Sequence, residues 1–194
     1  MRLPAAFVFG AMVKRMRWGD LEARQPRLAE LGREKLAGPG VVLVGTVRKD
    51  GSPRISPVEP FLWEGDLWLP MGLDSTKAKD LVRDPRMLVH SIVTSREGTD
   101  GEYKLRGRAV LEQDVLLNER VTETIAQQLG WRPEVGKFHL FRVDLEDVTF
   151  IRWGDNNDQY VTRWPSRSEF VRRGTSATSV GPPEPMSDLL VEED

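Results

Sequence analysis

Two short segments of the chain carry residue types that suit the binding of a phosphorylated ligand. In the first, Asp74–Lys79, a good helix-capping residue is followed by lysines where the first helical turn would lie. Lysine is unfavourable there because the helix dipole places partial positive charge at the N-terminus, and a bound phosphate would remove that conflict. The segment therefore predicts a phosphate site, with a solvated lysine face on a surface helix as the alternative.

The second segment, Pro53–Pro60, contains three prolines in eight residues. Proline lacks the N–H that a central strand needs, so the segment predicts an edge, a bulge or a widened gap between strands. Backbone groups left free in such a strand could bond a planar heterocycle. The period of two places Arg54, Ser56 and Val58 on one face. The alternative is an ordinary edge strand that proline protects from aggregation.

The elements around these segments are short strands at close spacing with few helices between them. An amphipathic helix is predicted over 18–36, interrupted near Pro26, and further helices over 74–83 and 116–129. Strands are predicted over 41–47, 55–62, 67–71, 87–94, 103–111 and 138–151, with a hairpin turn at 49–52. This pattern favours a small antiparallel barrel, and the missing Gly-x-Gly-x-x-Gly turn argues against a dinucleotide-binding fold.

Composition limits the classes of function. The 194 residues suit one domain with tails, and 28 basic against 30 acidic residues call for neither nucleic acid nor a membrane as partner. Cysteine is absent and only His90 and His139 are present, which excludes disulfides and thiol catalysis and indicates no metal site. These features predict a cytoplasmic protein.

Three regions are predicted along the chain. Residues 1–17 form a leader, whose apolar part is too short to span a membrane. Residues 18–165 form the barrel domain with its N-terminal helix. Residues 166–194 form a C-terminal extension, which turns to Ser, Thr, Pro and acidic residues and is predicted to be disordered from about 174.

In order and spacing, these motifs resemble the pyridoxamine 5'-phosphate oxidase-like family of flavin-binding split barrels. The matching stretches are 45–58, 67–69, 75–78 with Leu81, and 84–86. The resemblance implies a mainly β fold, a six-stranded antiparallel split β-barrel with flanking helices. It also implies a homodimer that holds two FMN molecules at the subunit interface.

The resemblance implies a set of cofactor-binding residues: Arg54, Ile55, Ser56, Pro57, Val58, Met71, Ser75, Thr76, Lys77 and Lys104. Arg54, Ser75 and Lys77 match contacts to the flavin phosphate, and residues 55–58 match the strand beside the isoalloxazine ring. Met71 matches a backbone contact. Lys104 belongs to the strand that supplies polar groups from the second subunit.

Departures from the true oxidases point to a different substrate. Those enzymes have arginine where Thr76 stands and glutamine near the position of Glu102, and their C-terminal substrate segment differs from residues 152–165. Trp153 and Trp164 are candidates to cover a flavin or a substrate.

The sequence thus predicts an FMN-dependent oxidoreductase that acts on a small molecule, with a nicotinamide as a candidate reductant. The alternatives are a deazaflavin-dependent reductase of the same fold and a flavin-binding protein without turnover. The haem-binding branch of the family is disfavoured because neither histidine lies in the C-terminal segment. No catalytic acid or base is indicated, because in such enzymes the cofactor carries the redox chemistry.

Overall fold

A computed structural model describes residues 16–186, which contain four α-helices. The helices are α1 (Trp18–Arg24), α2 (Pro26–Gly32), α3 (Thr76–Arg83) and α4 (Val115–Leu129), with a π-helical turn at Arg33–Ala37 and a 3-10 turn at Asp155–Asn157. Pro26 is the first residue of α2, where its missing N–H costs no helical hydrogen bond. The predicted interruption of the N-terminal helix near Pro26 is confirmed.

Ten antiparallel strands form one sheet in the described part of the chain. They are β1 (Val42–Val47), β2 (Pro53–Val58), β3 (Phe61–Trp63), β4 (Asp66–Gly72), β5 (Arg86–His90), β6 (Glu102–Glu112), β7 (Phe138–Trp153), β8 (Gln159–Trp164), β9 (Ser168–Ser176) and β10 (Ser179–Pro185). The order across the sheet is β10-β9-β8-β7-β6-β5-β1-β2, and β4 pairs with both β3 and β7. The mainly β architecture agrees with the predicted split barrel, but the strands number ten where six were expected.

The long strand β7 organises the barrel. One of its edges pairs with β6 along almost its whole length, from Leu140 to Ile151. On the other edge, β4 pairs with residues 138–142 and β8 pairs with residues 148–153. The sheet therefore divides along β7, so that β4 curls toward the barrel while β8, β9 and β10 extend away from it.

Two clusters of buried side chains fill the interior. The larger lies between the inner face of the sheet and the N-terminal helices, and it includes Trp18, Leu28, Val44 and Leu105. The smaller lies under α4 and includes Ile125. Alternate residues of β1 point into the larger cluster, so the remaining residues of this strand form an outward face.

The C-terminal extension differs from its prediction. Disorder was expected from about residue 174, but β9 and β10 extend through Pro185, so this expectation is wrong for residues 174–185. The Ser-, Thr- and Pro-rich composition suggested disorder, but this part of the sheet is held by backbone hydrogen bonds and by a few buried residues such as Val171. Residues 187–194 lie outside the described part of the chain.

The boundary of the leader also shifts. Residues 1–15 lie outside the described part, whereas Met16 is buried and accepts a hydrogen bond from Leu145 N at 2.8 Å. Arg17 donates from Nε to the buried Asp66 carboxylate at 2.7 Å. These two residues belong to the folded domain. Within residues 16–186, no helix has the length and apolar character needed to cross a membrane.

Candidate functional site

An open groove of about 560 Å³ lies between the β1–β2 turn and helix α3. Its lining holds four cationic side chains, two carboxylates and one hydroxyl: Arg48, Lys49, Asp50, Arg54, Thr76, Lys79 and Asp80. The excess of positive charge suits an anionic ligand. Of the residues predicted to bind a cofactor, Arg54 and Thr76 line this groove directly.

The β1–β2 turn places its cations through local hydrogen bonds. Arg48 N donates to Ser52 O at 2.8 Å, and Gly51 adopts a φ of +84°, which favours glycine. Asp50 accepts from the Ser52 hydroxyl at 2.6 Å and from Ser52 N at 3.0 Å. These two bonds, the side-chain one first, lower the pKa of Asp50 below its ordinary value. The turn is therefore preorganised in the hairpin that the sequence predicts.

A buried carboxylate, Asp80, holds Arg54 at the groove. Asp80 Oδ2 accepts from Arg54 Nε at 2.7 Å and from the Thr46 hydroxyl at 3.0 Å, and Oδ1 accepts from Arg83 at 3.1 Å. Burial alone would raise the pKa of Asp80, but the bonds from Arg54, Arg83 and Thr46 outweigh it and lower the pKa. Both Nη atoms of Arg54 lack a hydrogen bond to any described residue, so they are available to a ligand.

The start of α3 supplies further free donors. Ser75 caps the helix, and its hydroxyl accepts from Ala78 N at 3.3 Å. The backbone N–H groups of Thr76 and Lys77 donate to no described residue. Lys77 is half-buried and has no ion-pair partner within residues 16–186, whereas Lys79 pairs with Asp74 at 3.2 Å. These groups adjoin the groove because Thr76 and Lys79 line it.

Strand β2 is an edge strand of the sheet, as its prolines predict. Arg54, Ser56 and Val58 are the cross-strand neighbours of Thr46, Val44 and Val42, so they point to the inner side. Ile55 and Pro57 point outward, and Ile55 is 71% exposed. Among described strands, β2 pairs only with β1, which leaves its outer backbone edge open.

Two of the predicted residues lie away from the groove. The Met71 side chain is buried in the larger core cluster, with His139 as its cross-strand partner. Lys104 lies on the outward face of β6 and pairs with Glu102 at 2.6 Å. Pro57, Leu43, His90 and Lys104 form one cross-strand row, so Lys104 is three strands, or about 14 Å, from β2. Within one subunit the fold does not bring Lys104 to the groove.

Three groups at the groove escaped the sequence reasoning. Arg48 and Lys49 belong to the predicted turn, and two successive cations just before the strand that carries Arg54 were the available signal. Asp80 was missed because an acidic residue in a helix rich in charged residues is expected to be exposed to solvent. Its partners, Thr46 and Arg54, lie 34 and 26 residues away in the sequence.

Comparison with known proteins agrees with this fold. The model of the family described as "Pyridoxamine 5'-phosphate oxidase" matches residues 28–152. No curated protein matches the chain. The matched range contains every residue of the groove and ends within β7, before β8, β9 and β10.

Solved structures share the fold at low identity. A heme binding protein from Mycobacterium smegmatis is 22% identical with a TM-score of 0.53, over 70% of this chain and 57% of that one. HutZ, the heme storage protein from Vibrio cholerae, is 18% identical with a TM-score of 0.52, over 68% and 92%. A NimC/NimA family protein from Clostridium acetobutylicum is 16% identical with a TM-score of 0.51, over 71% and 90%.

Proposed function

The chain belongs to the pyridoxamine 5'-phosphate oxidase family, and on that premise we propose that it is an FMN-binding oxidoreductase whose groove holds the cofactor's phosphate. The observation that carries the proposal is the state of Arg54. Its Nε is bound to the buried Asp80, and both Nη atoms are free at a cation-rich groove. A guanidinium held in this way can donate two parallel hydrogen bonds to phosphate oxygens.

The other free groups fit the same phosphate. The unpaired N–H groups of Thr76 and Lys77 lie at the N-terminus of α3, where the helix dipole favours a negative charge. The Lys77 ammonium has no described partner that a phosphate would have to displace. The Thr76 hydroxyl, exposed at the groove, can donate one more bond.

Strand β2 suits the flavin ring. Its open outer edge offers backbone donors and acceptors, and Ile55 and Pro57 offer apolar surface on the outward face. When bound, FMN supplies the hydride or electron transfer. This chain's residues hold the phosphate and orient the ring against the edge, and we assign none of them a role as catalytic acid or base.

A homodimer completes the proposed site. On the outward face, Ile55 and Leu88 stay exposed on either side of Gly45 in one cross-strand row, which leaves a flat apolar strip. Such strips are typical of protein interfaces. Lys104 does not reach the groove of its own subunit. Pairing of two subunits through this face would instead let Lys104 of the partner subunit approach the cofactor.

The site favours flavin over the haem named for two of the similar structures. His90 Nδ1 lies 2.7 Å from Ser91 O, and its Nε2 lies 3.2 Å from Glu102, so both ring nitrogens are engaged. His139 packs its ring against Phe141. A deazaflavin with a longer anionic tail is the second candidate, because Lys49 and Arg48 extend the positive charge beyond Arg54.

The test is a comparison of FMN with riboflavin, which lacks the phosphate. Purified protein is titrated with each compound, with a deazaflavin coenzyme and with haemin. In the double variant Arg54→Ala, Lys77→Glu, FMN affinity should fall by at least about 100-fold, because two charge-assisted contacts are lost, while riboflavin affinity stays unchanged. Arg24→Ala, which removes an exposed arginine from α1, is the control.

Equal binding of FMN and riboflavin by the wild-type protein would contradict the phosphate assignment. If the deazaflavin or haemin binds more tightly than FMN, that compound and not FMN is the cofactor. Anaerobic addition of reduced nicotinamide cofactor to the FMN-loaded protein separates an enzyme from a carrier, since only an enzyme that accepts this donor bleaches the flavin absorbance.

A further inference from the structure

A second and larger pocket, of about 800 Å³, lies near the start of β6 and shares no residue with the phosphate groove. Four segments form its walls: residues 93–102 of the β5–β6 loop and the start of β6, the end of β7 with Ile151 and Trp153, Asn157 in the 3-10 turn, and residues 177–180 of the β9–β10 hairpin. The last of these belongs to the C-terminal extension. The pocket's volume is in the range of small-molecule binding sites.

The first wall is built by close packing of the loop on Trp153. Trp153 N donates to Gly98 O at 3.1 Å, and Gly98 has a φ of +69°. A Cβ at this position would lie 2.6 Å from Trp153 Cδ1, so the indole rests directly on the glycine. Trp153 is thereby held at the pocket, whereas Trp164, the other tryptophan that the sequence singles out, is buried in the core.

The β9–β10 turn is also held by specific hydrogen bonds. Asn157 Nδ2 donates to Ser176 O at 3.1 Å and to Ala177 O at 3.0 Å. Nearby, Asp158 accepts from Gly174 N at 2.9 Å and from Arg173 at 2.7 Å, and these bonds lower the pKa of Asp158. The pocket therefore has fixed walls on the side of the extension.

Of the two carboxylates in the lining, Glu102 is paired inside the domain and Glu97 faces solvent. Glu102 Oε1 lies 2.6 Å from Lys104 Nζ, and Oε2 lies 3.2 Å from His90 Nε2. Glu97 accepts a long bond from the Ser95 hydroxyl at 3.5 Å and stays exposed to solvent. A ligand thus meets little uncompensated negative charge at Glu102.

The groups of the lining without a partner are mainly donors. The Arg96 guanidinium, the Trp153 indole N–H and the hydroxyls of Thr178 and Ser179 make no hydrogen bond to any residue within 16–186. Val93, Ile151 and Val180 add apolar surface. An aromatic body suits Trp153 and this apolar surface, and an anionic group suits Arg96.

We propose that this pocket is a binding site for an aromatic anion, with Trp153 contacting the ring and Arg96 pairing with the charge. The C-terminal extension completes the site, beyond the part of the chain that the family model matches. The proposal does not depend on the binding of FMN, because the two sites share no residue.

The test uses 1-anilinonaphthalene-8-sulfonate, a fluorescent aromatic anion, and N-phenyl-1-naphthylamine, its uncharged counterpart. Arg96→Ala should weaken sulfonate binding about tenfold, the value of one exposed charge-assisted contact, and leave binding of the amine unchanged. Arg96→Lys should retain part of the affinity. Thr178→Trp, at an exposed turn, should fill the pocket and block both probes.

Arg24→Ala is again the control, and thermal melts establish that each variant is folded before titration. FMN titration of the same variants should match the wild-type protein. Sulfonate binding that survives both Arg96→Ala and Thr178→Trp would overturn the proposal, because the probe would then bind elsewhere, for example on the apolar outward strip. Equal loss of both probes in Arg96→Ala would overturn the assignment of an anion.

Discussion

Asp80 shows how one buried side chain positions another residue for ligand binding, here Arg54. Its residue is 4% exposed and its carboxylate satisfies three donors, so the charge is compensated inside the domain. The bond to Nε fixes the Arg54 guanidinium while leaving its outer nitrogens free. A positioned arginine loses less conformational entropy when it binds a phosphate than a mobile one.

We predict that Asp80→Asn lowers the free energy of unfolding by about 2 kcal/mol at neutral pH, because it leaves the partly buried Arg54 and the more exposed Arg83 without their carboxylate. The folded-state pKa of Asp80 lies below the ordinary 3.8. Its contribution is therefore fully present above the unfolded pKa and is lost as the pH falls through the folded pKa. Urea unfolding of both proteins from neutral pH to about pH 3 measures this difference.

The difference in stability between wild type and Asp80→Asn should stay constant down to about pH 5 and shrink below it. Asp50→Asn is the matched control, since Asp50 lies at the same groove but bonds only within its exposed turn. A difference that does not change with pH would mean that loss of the carboxylate's charge is not what destabilises the variant.

At the scale of elements, the pairing of β6 with β7 depends on a small residue at one irregular point. The register shifts between Arg106 and Gly107, and a Cβ at Gly107 would lie 2.2 Å from the backbone oxygen of Asp144. In both strands, residues that face the core alternate with residues that face outward. This bulge therefore sets where Glu102 and Lys104 lie relative to β7.

We predict that Gly107→Ala lowers the free energy of unfolding by about 3 kcal/mol, because the new methyl group meets backbone that cannot move alone. Gly72→Ala is the control: Gly72 is also a strand glycine, the last residue of β4, and a Cβ there meets nothing within 4 Å. Chemical denaturation of both variants is the measurement. Equal effects of the two substitutions would show that close approach at Gly107 is not the cause.

The elements that carry the groove could be predicted because their signals are local. Gly51 marks the β1–β2 turn, and Ser75 followed by Lys77 marks the start of α3. The second pocket could not be predicted, because Gly98, Trp153 and Thr178 meet only through sheet pairing across some 80 residues of chain. Strands β9 and β10 were missed for a related reason: they are held mainly by backbone hydrogen bonds, and their polar sequence lacks the hydrophobic alternation that indicates a strand.

The whole molecule presents an asymmetric sheet, with one face filled by the core and the other open. Near β2 the open face is apolar at Ile55 and Leu88, and toward β6 it becomes charged at Arg106 and Lys104. An edge strand with an exposed apolar neighbourhood favours self-association. The proposed cofactor site uses this property, because Ile55 on the β2 edge and Lys104 on β6 belong to different ends of the same outward face.

We predict that Leu88→Lys converts the proposed dimer into a monomer, since the substitution places a charge in the apolar strip. Sedimentation velocity measures the mass, and Val115→Lys on α4, which is 60% exposed in the wild type, is the control away from the face. FMN affinity should fall in the monomer while the groove residues stay intact, because the contact from Lys104 of the partner subunit is lost. If Leu88→Lys leaves the dimer intact, the subunits meet through another surface; if it yields a monomer with unchanged FMN affinity, one subunit holds the cofactor alone.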